Sequence, residues 1–171
     1  MSRLSPELHQ IYISVGSNIE REKHTKAGLQ AMYEIFGDLQ LSRVYESESV
    51  GFDGHNFYNL VVKAQTDLSI EQVCLALKKI EDQNKRQRGS EKFSPRTLDL
   101  DLLLYDAIIT RHPVELPRPE VLYNAFVLQP LAEIAADDIH PLVGKTYSTL
   151  WHEYDKTQQQ LWPIQFTWRA Q

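Results

Sequence analysis

The chain has 171 residues, 42% hydrophobic and 24% charged, with a net charge of −5. These values exclude a disordered or fibrous protein, and a chain of this length can bury a core without cross-links. The single cysteine, Cys74, excludes an internal disulfide framework and fits a cytoplasmic compartment; no apolar run reaches the ~18 residues of a spanning helix, and the sequence from Met1 to Pro6 lacks a signal core.

Ile11–Val15 is a short, β-branched apolar run ending in Gly16-Ser17-Asn18, which predicts a strand and a turn. From about Glu20 to Phe36, Ala27, Met32, Ile35 and Phe36 recur at roughly helical spacing, and Gly37 is the stop. A second strand is expected near Leu39–Glu46. A long loop with Gly51, Asp53 and Gly54 follows, then a third strand over Phe57–Thr66. Joined by a loop without a helix, these two strands pair most naturally as antiparallel neighbours.

Ile70, Val73, Cys74, Leu77 and Ile80 form the clearest amphipathic helix, with Cys74 on its apolar face as a core residue. A polar segment, Asn84 to Arg96, leads into a strand, Leu98–Tyr105. Pro113, Pro117 and Pro119 then forbid regular helix or central strand. Helical patterning returns over Ala125–Ala136 and near Tyr147–Tyr154, and His140 before Pro141 reads as a surface turn. The tail, 155–171, carries Trp162 and Trp168 and is a candidate edge strand that the pattern alone does not decide. Together these elements predict one α+β domain over 1–171, a layered sandwich with its core in about 11–154.

The chemistry concentrates around Asn84–Asp101. Asn84 to Arg96 holds five basic residues and one acid in a chain that is acidic overall. A charge run alone is more often a solvated loop, but the following strand changes its meaning. Residues two apart on a strand share a face, so Asp99 and Asp101 project together while Leu98, Leu100 and Leu102 enter the core. Two close carboxylates repel unless a cation lies between them. Mg²⁺ suits such a pair, since it takes one or two carboxylates alongside phosphate oxygens. Arginines nearby offer bidentate phosphate contacts. The competing reading is a structural Asp–Arg network. A second cluster, Phe57-Tyr58-Asn59, places a ring and a carboxamide on one strand face, fit to stack on a flat heterocycle and bond its edge. In isolation such a pair is more often core and turn. No P-loop, dinucleotide fingerprint or zinc motif is present.

Phe93-Ser94-Pro95-Arg96-Thr97-Leu98-Asp99-Leu100-Asp101-Leu102-Leu103 resembles the signature of the 6-hydroxymethyl-7,8-dihydropterin pyrophosphokinase family of folate biosynthesis. Gly16-Ser17-Asn18, Tyr45, Gly51, Phe57-Tyr58-Asn59 and the block from Phe126 to Ala135 are similar to further family motifs. The resemblance implies a ferredoxin-like α+β fold with a mainly antiparallel sheet. It implies transfer of the β,γ-pyrophosphoryl group of ATP to the hydroxymethyl oxygen of the dihydropterin, giving AMP. Carried over, Asp99 and Asp101 hold two Mg²⁺ ions, and Arg86 and Arg96 stabilise the moving group. Arg88, Arg118 and Glu81 lie on the ATP side. Phe57 and Phe126 sandwich the pterin, whose edge is read by Asn59 and backbone groups near Ser47 and Val50. The loop from Asn84 to Arg96 would close over the substrates and exclude water.

The chain departs from the family pattern at several places. Pro117-Arg118-Pro119 stands for Pro-His-Pro, Asn124 for an arginine and Pro113 for a basic residue. Ser47-Glu48-Ser49 stands for Thr-x-Pro, and Ser94 for a glycine. A non-catalytic or altered-donor pterin- or nucleotide-binding paralogue is therefore the alternative. A nucleic-acid binder using the basic loop is opposed by the acidic remainder. The expected partners are small molecules alone, with no nucleic acid, no membrane and a monomeric chain.

Overall fold

The computed structural model describes residues 7–47, 56–85 and 97–171. Chain order is β1 (His9–Ser17), α1 (Arg21–Phe36), β2 (Gln40–Leu41), β3 (Val44–Ser47), β4 (Phe57–Thr66), α2 (Ile70–Lys85) and β5 (Asp99–Tyr105). A 3-10 turn (Pro119–Leu122), α3 (Ala125–Ile134), α4 (Tyr147–Glu153) and β6 (Leu161–Ile164) complete it. The strands form one sheet in the order β5-β1-β4-β3-β6, with β2 also on β4. All of these pairings are antiparallel. The α+β layered sandwich with an antiparallel sheet is therefore as expected.

Each face of the sheet carries its own core. On one face Ile11, Ile13, Val15, Leu60, Val62, Leu100 and Leu102 pack with Leu29 and Met32 of α1 and Val73, Leu77 and Ile80 of α2. On the other, Tyr12, Val61, Leu103 and Leu104 pack with Val127, Leu128 and Leu131 of α3 and with Tyr147. Two irregularities adjust this alternation. In β5 the register to β1 shifts between Leu104↔Tyr12 and Leu102↔Ile13, so Leu103 is an extra, bulged residue. Leu103 and Leu104 therefore both face α3, and Tyr105 turns back to the α1/α2 side, where its hydroxyl donates to the Leu68 carbonyl at 2.6 Å.

The second bulge divides the strand expected at Leu39–Glu46 into β2 and β3. Three residues, 42–44, oppose two on β4 between Leu41↔Val62 and Tyr45↔Asn59. Ser42 sustains the break. Its hydroxyl accepts from Val61 N at 2.9 Å and donates to Arg43 O at 2.8 Å.

The α1 helix forms as predicted but with a different face. Ala27 and Ile35 are exposed, and the buried stripe is His24, Thr25, Gly28, Leu29 and Met32. Close packing decides this, because a methyl at Gly28 would lie 3.0 Å from Leu98 Cδ2. The buried His24 ring is tied to the Asn84 amide of α2 at 3.0 Å. Ser69 and Gln72 form a reciprocal capping box at the start of α2. His140 occupies a turn as expected, but it is buried rather than on the surface. Its Nδ1 accepts from the backbone of Leu142 and Val143, and burial lowers its pKa. The tail does form an edge strand, β6, on β3.

Candidate active site

Antiparallel register gathers the site from four strands. Directly opposed residues share a face, and one row reads Asp99 on β5, Gly16 on β1, Asn59 on β4 and Tyr45 on β3. The next pair outward, Ser47 opposite Phe57, lies on the same face. That face belongs to α3, since the Tyr45 hydroxyl donates to Glu133 of that helix at 3.1 Å. Asp99 and Asn59 thus flank Gly16 with their backbones about 10 Å apart. Gly16 keeps the interval open, as a methyl there would sit 3.3 Å from Asn59 Oδ1.

Asn59 is buried and donates from Nδ2 to Ser47 Oγ at 2.9 Å, which fixes the orientation of its amide. Ser47 therefore reaches this end of the sheet through its side chain as well as its backbone. Phe57 is half-buried at the start of β4, and Phe126 is half-buried in the first turn of α3, which packs on β4. Tyr45 is held protonated by burial and by the Glu133 carboxylate, which also engages Arg43.

Asp99 and Asp101 project from the rim strand β5, and the Asp101 side chain is 48% exposed. Two residues pin that rim. Glu81 of α2 accepts the Leu100 N–H, between the two aspartates, through Oε2 at 2.7 Å. Arg118 donates from its backbone N to Leu103 O at 2.9 Å and from Nε to Leu102 O at 3.1 Å. Its Nη2 stands 3.8 Å from Asp101 Oδ1. An Asp–Arg contact is thus present beside the carboxylate pair. Cys74 also lies near these charges; burial, the largest influence, raises its pKa, so it remains a thiol.

Among the described residues no group of three or more His, Cys, Asp or Glu side chains could hold a metal. A magnesium ion shared with phosphate needs only one or two carboxylates. The half-exposed pair on one strand face fits that requirement. Val50, Arg86, Arg88 and Arg96 lie outside the described residues, as does most of the expected closing loop.

Sequence reasoning singled out none of the side chains that brace the neighbouring corner on the α1 side of the sheet. Asn18 is buried with both amide atoms lacking a partner, and it lines a cleft of about 360 Å³ with Glu20, Arg21 and Tyr58. Arg21 stacks over Tyr58 and donates to Glu46 and to Asn56 O, both at 3.0 Å, steadying the entry to Phe57. Burial opposes ionisation of Glu46, but hydrogen bonds from Arg21, Asn56 and Trp162 hold its carboxyl below the ordinary value. The Gly16-Ser17-Asn18 turn was the one signal available for this corner.

Residues 12–136 match the model of the 7,8-dihydro-6-hydroxymethylpterin-pyrophosphokinase (HPPK) family. The chain belongs to the HPPK family. It is 34% identical over 138 residues to the 2-amino-4-hydroxy-6-hydroxymethyldihydropteridine pyrophosphokinase of Aquifex aeolicus, covering 79% of this chain and 86% of that one. The Synechocystis enzyme of the same name is 33% identical, with 92% and 82% covered. The folic acid synthesis protein fol1 of Pneumocystis carinii is 40% identical over 78% of this chain, which spans only 18% of that protein. Among solved structures, Plasmodium falciparum HPPK-DHPS with pterin and p-hydroxybenzoate superposes with a TM-score of 0.69 at 13% identity. The match covers 87% of this chain and 43% of that one. This likeness places the chain in the ferredoxin-like fold of HPPK domains.

Proposed function

We propose that this chain transfers the β,γ-pyrophosphoryl group of ATP to 6-hydroxymethyl-7,8-dihydropterin. The products are AMP and the dihydropterin diphosphate, in folate biosynthesis. The observation that carries this reading is the row in which Asp99 and Asn59 flank Gly16 on one face of the sheet. It sets phosphate-handling carboxylates beside an amide able to read a heterocycle edge, as the activity requires. The identity of the Aquifex and Synechocystis relatives supports the same reaction.

In this reaction the hydroxymethyl oxygen attacks the β-phosphorus. The bond from that phosphorus to the α-phosphate bridging oxygen breaks, AMP departs with that oxygen, and the alcohol proton is released. Asp99 and Asp101 would hold two Mg²⁺ ions, which would neutralise phosphate charge and favour approach of the hydroxymethyl oxygen to the β-phosphorus. Glu81 steadies the strand between the two aspartates through Leu100. Arg118 sits where its guanidinium can turn from Asp101 to an entering phosphate. Arg86, Arg88 and Arg96 are assigned to the polyphosphate, and Val50 with Ser47 to the pterin edge. Phe57 and Phe126 stack on the pterin, and Asn59 bonds its edge. Positioning and charge stabilisation supply the rate.

The chain acts in this reading as a monomeric, single-domain cytoplasmic enzyme without nucleic-acid or membrane partners. No described helix is long and apolar enough to cross a membrane. The decisive assay follows AMP formation from ATP with hydroxymethyl-dihydropterin and Mg²⁺. AMP formed in step with dihydropterin diphosphate is the expected result, and pterin binding without AMP would establish the paralogue alternative. Asp99→Ala should abolish turnover while leaving the thermal melt nearly unchanged, because the strand's core face is untouched.

A further inference from the structure

The α3 helix begins at Ala125, directly before Phe126, and its N-cap residue, Asn124, makes no side-chain cap bond. The first amide of the helix is satisfied from elsewhere in the chain. Gln159 Oε1 accepts the Ala125 N–H at 2.7 Å, and Gln159 Nε2 donates to Asn124 Oδ1 at 3.2 Å. Tyr154 adds a bond from its hydroxyl to Tyr123 O at 2.8 Å. Two residues beyond Gln159, Leu161 pairs with Ser47, and Ser47 Oγ receives the Asn59 amide. A stretch of three residues therefore touches the helix start that carries Phe126 and the strand end that orients Asn59. Gln159 lies beyond residues 12–136, the stretch that matches the family.

We propose that Gln159 is a positioning residue for pterin recognition. It supplies the missing cap of α3 and, with Leu161, fixes the spacing between the Phe126 wall and the Ser47–Asn59 wall. This rests on the assignment of Phe126 and Asn59 to the pterin. Gln159 touches no reacting atom, so its loss acts on pterin affinity and leaves the ATP side alone. An unsatisfied, unfastened helix start lets Phe126 drift, and stacking tolerates little drift.

Binding of 6-hydroxymethylpterin, followed by its own fluorescence in the presence of a non-hydrolysable ATP analogue and Mg²⁺, tests the proposal. Gln159→Ala should weaken pterin binding and raise the pterin KM by about five- to tenfold, the scale of a lost helix cap. The kcat at saturating pterin and the affinity for the ATP analogue should stay within about twofold. Gln159→Glu keeps the acceptor for the Ala125 N–H, where negative charge is welcome, and its second oxygen takes an N–H from Asn124 once that amide turns over, so it should restore nearly full affinity. Unchanged pterin affinity in Gln159→Ala, with Phe126→Ala impaired, would overturn the Gln159 role alone. Equal impairment of the Ala and Glu variants would overturn it as well, by tracing the effect to packing. Unchanged affinity in Phe126→Ala would sink the pterin assignment and the proposal with it.

Discussion

Gly16 shows how one missing side chain sets the grain of the site. Gly16→Ala would press a methyl to 3.3 Å from the Asn59 amide oxygen, and Asn59 is already held by Ser47. The amide must give, so the pterin KM should rise about tenfold with the ATP-analogue affinity preserved. Arg118 acts on the other flank. Its guanidinium competes for Asp101 at 3.8 Å, so Arg118→Gln should bind Mn²⁺ roughly fivefold more tightly without nucleotide, as read by electron paramagnetic resonance. Unchanged Mn²⁺ affinity would show that the pair does not restrain the carboxylate. The motif spacing made the carboxylate pair and the Phe57–Asn59 cluster legible. The Arg118–Asp101 contact was not, because it depends on how the proline-rich stretch folds back along the strand rim. His140 was misjudged because a histidine before proline looks like surface chemistry, whereas two backbone donors satisfy it in the interior. Burial lowers its pKa, so the unfolded chain binds the extra proton first. Stability should therefore fall as pH drops below about 6.5, and His140→Asn should flatten that dependence in urea melts at pH 7 and pH 5.

At the scale of elements, the sheet works because two strands are interrupted. Ser42 satisfies the Val61 amide where β2 gives way to β3, so Ser42→Ala should cost about 1–3 kcal/mol in denaturant melts. An unchanged midpoint would mean that water replaces the hydroxyl. The main helices and the strands as far as β5 are readable from periodicity, and the expected third strand has the observed bounds of β4, whereas the tail strand and the 3-10 turn are not readable in this way. The divided second strand was not readable, since a bulge depends on the partner's register rather than on its own pattern. The face of α1 failed for a related reason. Ala27 and Ile35 are apolar, but the helix approaches closely enough that Gly28 must face Leu98, and this rotates His24 and Thr25 inward.

Across the whole molecule, the tail joins both helical layers. It leaves Gln159 at α3, crosses the sheet rim as β6, and continues to α1, where Trp168 meets Tyr33 edge-on and Gln171 bonds Gln30 twice. Removing residues 165–171 should leave pterin affinity intact, because these residues lie on the α1 side. It should cost about 2 kcal/mol, or roughly 4–8 °C in melting temperature, from the lost burial of Phe166 and Trp168. A loss of pterin affinity would mean that the two layers are coupled through the strap. Tryptophans marked the tail as something that packs, but its target lies over a hundred residues away in sequence, beyond any local pattern.

The supernumerary Leu103 also separates two duties within β5. Upstream of it, side chains alternate between the carboxylate surface and the α1/α2 core; downstream the phase is reversed, and the strand serves as flooring for α3. Deleting that single leucine would restore plain alternation, with Leu104 in its place beneath α3 and the acids and Tyr105 still on their present faces, so the shortened strand should keep its pairing with β1 and lose only one leucine of contact to α3.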